Sequence, residues 1–331
     1  MPIAKQVMTW LALLLCLVPQ LQGQTVTVTS ITVSGLKRTK ESIVFRELTF
    51  RQNDTLPQRE LGTIMQRNQD NLLNLGIFNE VVVNVKEWDT QKNTIEVSID
   101  VKESWYIYAL PILELADRNF NVWWTTYHHS FDRLNLGGRL DFLNFTGRND
   151  KLKAKIQLGY TPKQEIEYRF PYLNRRQSLG VTIGMLHSAN KEISYSTIDN
   201  HEQFIQLNER KLLDRWRFQA SSVYRPNLFL KYELTLTLQA YKVDSQIVSG
   251  YNDIYFRNGD TRHSTLIAKA SFEYDDRDFK IYPARGVLSY MEIEKTGFGE
   301  NQDENNFTGT ARVEWNSAFG ARFQQRLTGI G

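Results

Sequence analysis

The run Leu228-Phe-Leu-Lys-Tyr-Glu-Leu-Thr-Leu-Thr-Leu-Gln-Ala-Tyr241 places Leu230, Tyr232, Leu234, Leu236 and Leu238 on one parity and Lys231, Glu233, Thr235, Thr237 and Gln239 on the other. A period of two is the mark of a strand with one apolar and one polar face. The pattern recurs on both sides. Leu152, Ala154, Ile156, Leu158 and Tyr160 alternate with Lys151, Lys153, Lys155 and Gln157, and the period returns in Glu165–Phe170, Trp216–Tyr224 and around 264–274, 287–295 and 307–315. Turn-forming clusters separate the runs: Thr161-Pro162-Lys163, Asn174 to Gln177, Arg225-Pro226-Asn227 and Gly297 to Asn306. A soluble sandwich or lipocalin-like barrel would turn the apolar face inward, whereas a transmembrane barrel turns it to lipid around a polar lumen. Ordinary strands cluster near five or six residues, and crossing an outer membrane takes about 9–11 tilted ones. The runs are of the longer kind, which favours the membrane. Tyr160, Tyr168, Tyr172, Tyr224 and Tyr241 near strand ends suit interfacial aromatic girdles.

Composition narrows the remaining classes. The chain has 331 residues, 41% hydrophobic and 23% charged, with a single Cys. These values oppose disorder, a disulfide scaffold and collagen-like or solenoid repeats. Several runs of about 20 apolar residues would be needed for a polytopic helical protein, and the one long apolar run is N-terminal. With 40 Lys+Arg against 37 Asp+Glu, the charge gives no support to a nucleic-acid partner. A polar average does not oppose the membrane, because a barrel shows lipid only every second residue.

Lys5, the apolar segment Val7–Val18 and Gln20-Leu-Gln-Gly-Gln24 read as a secretory signal peptide over 1–23, cleaved after Gly23. The apolar part is short for a membrane anchor. Cys16 lies inside it and follows three leucines rather than small residues, which disfavours lipidation. Cleavage would leave a mature chain without Cys, so no disulfide or thiol chemistry is expected.

Residues 24–103 read differently. Val26–Val33 alternates, Gly35 ends the run, and Thr39 is placed to cap a helix over 41–48. Leu61, Ile64, Met65, Leu72 and Leu75 fall at helical spacings after Gln58, and Gly76 supplies a stop. Strands follow at Glu80–Lys86 and Thr94–Val101, joined by a polar turn over 88–93. Strand, helix, helix, strand, strand predicts an α+β layer.

The stretches ITVSGLKRTKESIVFREL, LPQRELGTIMQRNQDNLLNLGIF and FNEVVVNV resemble a POTRA domain, the polypeptide-transport-associated module of the periplasm. Gly35, Leu75, Gly76 and Phe78 occupy its motif, with structural roles as core and turn residues. The resemblance implies that function lies in an exposed strand edge that pairs with extended peptides, which nominates no single side chain. In the second part, 104–331, Phe272-Glu-Tyr-Asp-Asp-Arg-Asp-Phe-Lys-Ile-Tyr-Pro-Ala-Arg-Gly resembles the YDxRD…xPxxG motif of the BamA-type superfamily, the bacterial surface-antigen family of outer-membrane assembly and translocation proteins. Tyr274, Asp275, Arg277, Asp278, Pro283 and Gly286 hold its positions. Residues 105–124 are similar to members from Bacteroidetes-type bacteria. One POTRA-like module directly before such a barrel is the family's own order.

The family implies a location in the bacterial outer membrane with the POTRA domain in the periplasm. It implies outer-membrane lipid, unfolded outer-membrane protein clients and further subunits of an assembly complex as partners. It also implies no nucleotide, no cofactor, no metal and no catalytic side chain, hence no enzyme. A weakly closed seam between first and last strands would template client strands, since bare backbone in lipid costs several kcal/mol per group. Eleven strands are expected, near 135–146, 150–160, 164–172, 178–187, 201–213, 215–225, 228–243, 262–275, 286–296, 306–319 and 321–330. Family barrels have sixteen and a late Arg-Gly-Phe/Tyr loop, and Arg285-Gly286 is followed by Val287. The expected fold is therefore an α+β POTRA-like module and an incomplete antiparallel transmembrane β-barrel, either truncated or closed by oligomerisation or as an unusual small barrel.

Three other constellations carry weaker signals. Asp275, Asp276 and Asp278 could ligate a hard cation, but the spacing lacks the Gly and Glu of an EF-hand. His128-His129, adjacent on an expected strand, would point to opposite faces. His187, His201 and His263 have no Ser motif around them. The competing function is a passive porin-like or adhesive surface barrel with a periplasmic accessory domain.

Overall fold

The computed structural model describes residues 24–116, 119–207, 210–298, 304–319 and 323–330. The expected signal peptide lies outside them. The first unit contains β1 (Thr25–Ser34), α1 (Glu41–Glu47), β2 (Thr55–Pro57), α2 (Leu61–Leu73), β3 (Phe78–Asp89) and β4 (Thr94–Glu103). Its sheet runs β2-β1-β4-β3, with β1 and β4 parallel and the outer pairs antiparallel. Val26 and Val28 from β1, Val81 and Val83 from β3, and Ile95, Val97 and Ile99 from β4 point to one face. They pack there on Ile43 and Val44 of α1 and Leu61, Met65 and Leu72 of α2.

Thr39 does not cap α1 through its side chain; Lys40 is the cap residue and makes no side-chain cap bond. The Thr39 hydroxyl instead accepts from Asn144 Nδ2 at 2.8 Å, and it lies 3.1 Å from the Tyr106 hydroxyl. The Glu103 carboxylate takes the backbone N–H groups of Arg38 and Thr39. A carboxylate from another strand outcompetes the local hydroxyl because it brings full negative charge to a helix entrance. Gly76 follows α2 with φ +69°, and its N–H donates to Leu73 O. Leu75 packs against the core and Phe78 is buried within it. At Gly35, φ is +81° and a Cβ would sit 1.9 Å from Val101 O, so only glycine fits where β1 leaves the sheet.

The second unit is an 11-stranded antiparallel sheet. It contains β5 (Ile107–Leu115), β6 (Leu134–Leu143), β7 (Lys151–Gly159), β8 (Lys163–Phe170), β9 (Leu179–Asn190), β12 (Leu213–Tyr224), β13 (Leu230–Val243), β14 (Arg262–Asp275), β15 (Gly286–Thr296), β16 (Asn306–Phe319) and β17 (Phe323–Ile330). β5 and β17 stand at its two ends. The expected count of eleven agrees, but the membership differs. Residues 201–206 do not join the large sheet; they form β11 (His201–Gln206), which makes a separate hairpin with β10 (Glu192–Ile198) in the β9–β12 connection. In their place stands β5, which alternation could not find because Ile107 to Leu113 is apolar at both parities around Pro111.

Alternation is resolved into two walls. One row of cross-strand partners reads Leu140, Ala154, Ile166, Met185, Phe218, Leu238 and Leu266; a second reads Tyr232, Phe272, Met291 and Ala311. Ile166, Met185, Phe218, Leu238 and Leu266 are all exposed. The opposite wall carries ion pairs such as Lys153–Glu167 at 3.1 Å and Lys269–Glu292 at 3.0 Å. An apolar wall this extended marks lipid or a partner rather than water, and among the described residues no helix is long and apolar enough to cross a membrane.

The girdle expectation needs correction. Tyr224 is exposed on the apolar wall and stacks on Tyr232, while Tyr168 stacks on Phe170. Tyr160 and Tyr172 are buried and bound to Glu192 and Glu47, and Tyr241 packs on Phe256 and His263. A phenol that finds a carboxylate within the protein turns away from lipid. His128 and His129 are also displaced: they lie in a turn after the short helix α3 (Phe120–Thr125), both with positive φ, and His129 packs against Trp123 and Trp124.

Candidate functional site at the junction of module and sheet

The turns joining β6–β7, β8–β9, β12–β13 and β14–β15 all lie at one end of the sheet, and the α+β module sits against all four. Its helices supply the contacts. Glu47 ends α1 on the same face as Ile43 and is only 2% exposed, an acid on a core-facing stripe. Arg225, in the β12–β13 turn, meets it with a bidentate pair: Nη1 to Oε1 at 2.7 Å and Nη2 to Oε2 at 2.9 Å. Tyr172 from the β8–β9 turn donates its hydroxyl to Glu47 Oε1 at 3.2 Å, and its ring joins the module's apolar core. Burial and the Glu47 charge push the Tyr172 phenol up to about 12. Arg46 donates to the carbonyls of Gln177 and Arg225; burial, then the charge of Arg225, holds its pKa below the ordinary arginine value.

Two further contact sets flank this clamp. Arg38 donates to the carbonyls of Asn144 and Phe145 in the β6–β7 turn and lies 4.9 Å from the Phe142 ring centre, and Lys40 N donates to Gly147 O at 2.8 Å. On the other side, Arg67 of α2 donates to Asp276 O and lies over Phe229. Asn74 donates to Asp278 O at 3.0 Å and accepts from Lys280 N at 3.1 Å. The module thus reads the backbone of the turn that carries the family-like motif.

Each motif residue has a place in that turn. Asp276 Oδ1 accepts from Val287 N at 2.6 Å, and Asp278 Oδ1 accepts from the N–H groups of Phe279, Ala284 and Arg285. Tyr274 donates to Asp276 Oδ2. Arg277 turns back along the sheet interior, making a fork to Asp275 at 2.8 and 3.0 Å and a bond to Glu314 at 3.1 Å. Gly286 has φ +107°, and a Cβ there would lie 2.6 Å from Arg277 Cα; Pro283 stands in the same loop. The aspartates that could have ligated a cation instead hold turn amides and a guanidinium. Between module and sheet lies a cavity of about 350 Å³, lined among others by Glu47, Asn74, Arg169, Lys231, Glu273 and Lys280.

Gly35 and Phe78 shape the module away from the junction, whereas Leu75 and Gly76 line the cavity beside it and the motif turn supplies contacts directly. Glu47, Arg225, Arg38, Arg67, Asn74 and Tyr172 were not foreseen. The one available signal was a carboxylate at the i+4 position from Ile43 on the helix stripe that faces the core.

The α+β module matches the POTRA family, described as a surface antigen variable number repeat, over residues 26–104. Residues 144–329 match the Omp85 superfamily domain. No curated protein matches the chain in sequence. Among solved structures, BamA from Haemophilus ducreyi lacking POTRA domains 1–3 is 11% identical with a TM-score of 0.47, covering 88% of this chain and 52% of that one. CdiB from Acinetobacter baumannii is 12% identical with a TM-score of 0.47, covering 93% and 52%. CdiB from Escherichia coli is 12% identical with a TM-score of 0.32, covering 95% and 80%. The chain spans about half the length of the first two. With the second match alone taking in more than half of its residues, the chain belongs to the Omp85 superfamily of outer-membrane β-barrel proteins.

Proposed function

We propose that this protein assists the insertion, assembly or translocation of other outer-membrane proteins, with its POTRA module in the periplasm delivering extended client segments to the sheet. The observation that carries the reading is an edge strand. β3 is the outer strand of the module's sheet and, among the described residues, has only β4 as neighbour. An unpaired strand in water accepts an extended peptide by augmentation, which suits delivery of a strand to the sheet. β3 carries two register shifts, at Phe78/Glu80 and Val85/Glu87, which discourage pairing with a second copy of itself while leaving the stretch between them regular. The clients are unfolded outer-membrane proteins, and the turn built on Asp276, Asp278 and Gly286 is the platform that fixes the module's position.

Depletion of the protein tests the reading: a general fall in outer-membrane barrels is expected. Normal barrel levels with altered solute uptake or adhesion would favour a passive porin-like or adhesive barrel and remove the assembly role. Photo-crosslinkers placed along Val81–Val85 are expected to trap nascent barrel strands, and crosslinkers on the short edge β2 far fewer.

A further inference from the structure

On the apolar wall, the three rows nearest the loop end of β12, β13 and β14 change chemistry in order. The row Phe218, Leu238 and Leu266 is apolar; the next holds Trp216, Ala240 and Ser264; the last holds Asp214, Lys242 and Arg262. Successive rows on one face are about 6.8 Å apart along the strands. Along β12, the nine residues from Trp216 to Tyr224 span about 26 Å, comparable with the apolar band of an outer-membrane barrel once tilt is allowed for. Trp216 therefore marks the loop-side interface, and Lys242 and Arg262 lie just beyond it.

Ala240 and Ser264 are small beside Trp216, Lys242 and Arg262, and among the described residues the β14–β15 ladder runs from Ile267↔Thr296 onward. The result is a groove of about 390 Å³ lined by Trp216, Ala240, Lys242, Arg262 and Ser264 together with Asp214, Tyr241 and His263. Its charge is not balanced locally. Asp214 is engaged by His187, Nε2 to Oδ2 at 3.0 Å, and His187 stacks on Trp216 with ring centres 4.3 Å apart. Lys242 and Arg262 are exposed cross-strand neighbours with no carboxylate partner among the described residues.

We propose that this groove binds a membrane lipid bearing an anionic phosphate head group, with Lys242 and Arg262 on the phosphate and acyl chains along Trp216, Phe218, Leu238 and Leu266. Arginine offers two donors in a fork to phosphate, lysine a mobile point charge, and the small residues beneath them leave room for the glycerol or sugar backbone. The proposal rests on the reading that this wall faces lipid, so the experiment separates the two.

The full chain in neutral detergent is titrated with phosphatidic acid and with phosphatidylcholine, and retained lipid is read by native mass spectrometry. Phosphatidic acid is expected to be retained preferentially. The double variant Lys242→Ala/Arg262→Ala is expected to lose that preference by tenfold or more, at about 1 kcal/mol per basic residue near a membrane surface. Lys231→Ala, whose ammonium pairs with Glu233 on the opposite wall, is expected to leave it unchanged. Equal retention of both lipids, or equal retention by the double variant, overturns the proposal. Full displacement by inorganic phosphate overturns the lipid in favour of a free anion. Brominated acyl chains report the wall itself: quenching that disappears in Trp216→Phe places Trp216 against lipid. Its absence overturns the membrane reading together with this proposal, whereas quenching without phosphate preference overturns this proposal alone.

Discussion

Glu47 and Arg225 are 178 residues apart, and their pair is nearly water-free on the carboxylate side, with side-chain exposures of 3% and 26%. Removing one partner from a buried pair leaves an uncompensated charge, which costs about 3–5 kcal/mol, whereas replacing both by apolar groups of similar size is often neutral. Arg225→Met is therefore expected to loosen the module by that amount, seen as faster amide exchange in α1 and in the 144–150 turn. The double variant Glu47→Gln/Arg225→Met should recover most of the loss. Glu103 gives the junction a pH dependence. Burial raises its pKa, but hydrogen bonds from the Thr39 hydroxyl and from the amides of Thr39, Arg38 and Lys37 outweigh burial and hold it below the ordinary glutamate value. A carboxylate lowered on folding stabilises fully above its unfolded pKa, about 4.3, and that contribution disappears as pH falls through the folded value. Exchange at the start of α1 should accelerate on acidification below about pH 4, and Glu103→Gln should flatten that acid-side dependence. Neither contact could be read from the sequence. Glu47 carried a local hint in the stripe of Ile43 and Val44, but nothing near Arg225 distinguishes it from other turn arginines, because its partner is set by tertiary docking.

At the scale of elements, the sequence is most informative where one period dominates. Leu234, Leu236 and Leu238 alternate with Thr235, Thr237 and Gln239, and the ladder puts the leucines on the exposed wall without a register break. Leu236→Arg is expected to destabilise the sheet by about 2–4 kcal/mol when the substitution lies near the midplane, while Thr237→Arg on the polar wall is expected to be close to neutral. Urea titration in lipid vesicles, followed by heat-modifiable gel migration, distinguishes the two. Periodicity failed where both faces are apolar, as in β5, and where a polar alternating segment leaves the sheet, as in β10 and β11. The latter hairpin has its own small core: Ile193 packs with Leu212, Val243 and Ile247, the last on α4 (Ser245–Gly250). A strand pattern states which faces differ, not which sheet receives it. The turn motif was legible for a different reason, since its aspartates act locally. At Gly286, φ +107° and the 2.6 Å approach to Arg277 Cα together make Gly286→Ala costly, by about 1–3 kcal/mol from backbone strain alone. The expected readout is lower urea resistance with a release of α2 from the Asp278 carbonyl.

For the whole molecule, the decisive relation is that one soluble module covers the turn end of a sheet whose apolar wall needs lipid. The module has a continuous buried core, and the described sheet has few buried apolar side chains outside the loop-end cluster. The two parts are therefore stabilised by different solvents, and the junction between them is polar: guanidinium groups on carbonyls, one buried ion pair and one inserted tyrosine. Such a junction is specific in geometry, and separating it would withdraw Tyr172 from the module's core and leave Glu47 without its guanidinium partner. If clients pass from β3 to the sheet, the module must leave the turns at some stage. Ser42 and Gln177 face each other across the junction, Oγ to Nε2 at 3.3 Å. A Ser42→Cys/Gln177→Cys variant bridged by a bis-maleimide with a reducible spacer holds the module in place, and Cys16 is the one competing thiol in the sequence. Bridging is expected to stop client insertion into vesicles while leaving the sheet's heat-modifiable migration unchanged, and reduction of the spacer should restore insertion. Undiminished insertion by the bridged protein would mean that clients reach the sheet with the module docked, by way of β3 and the cavity beside Arg169 and Lys231.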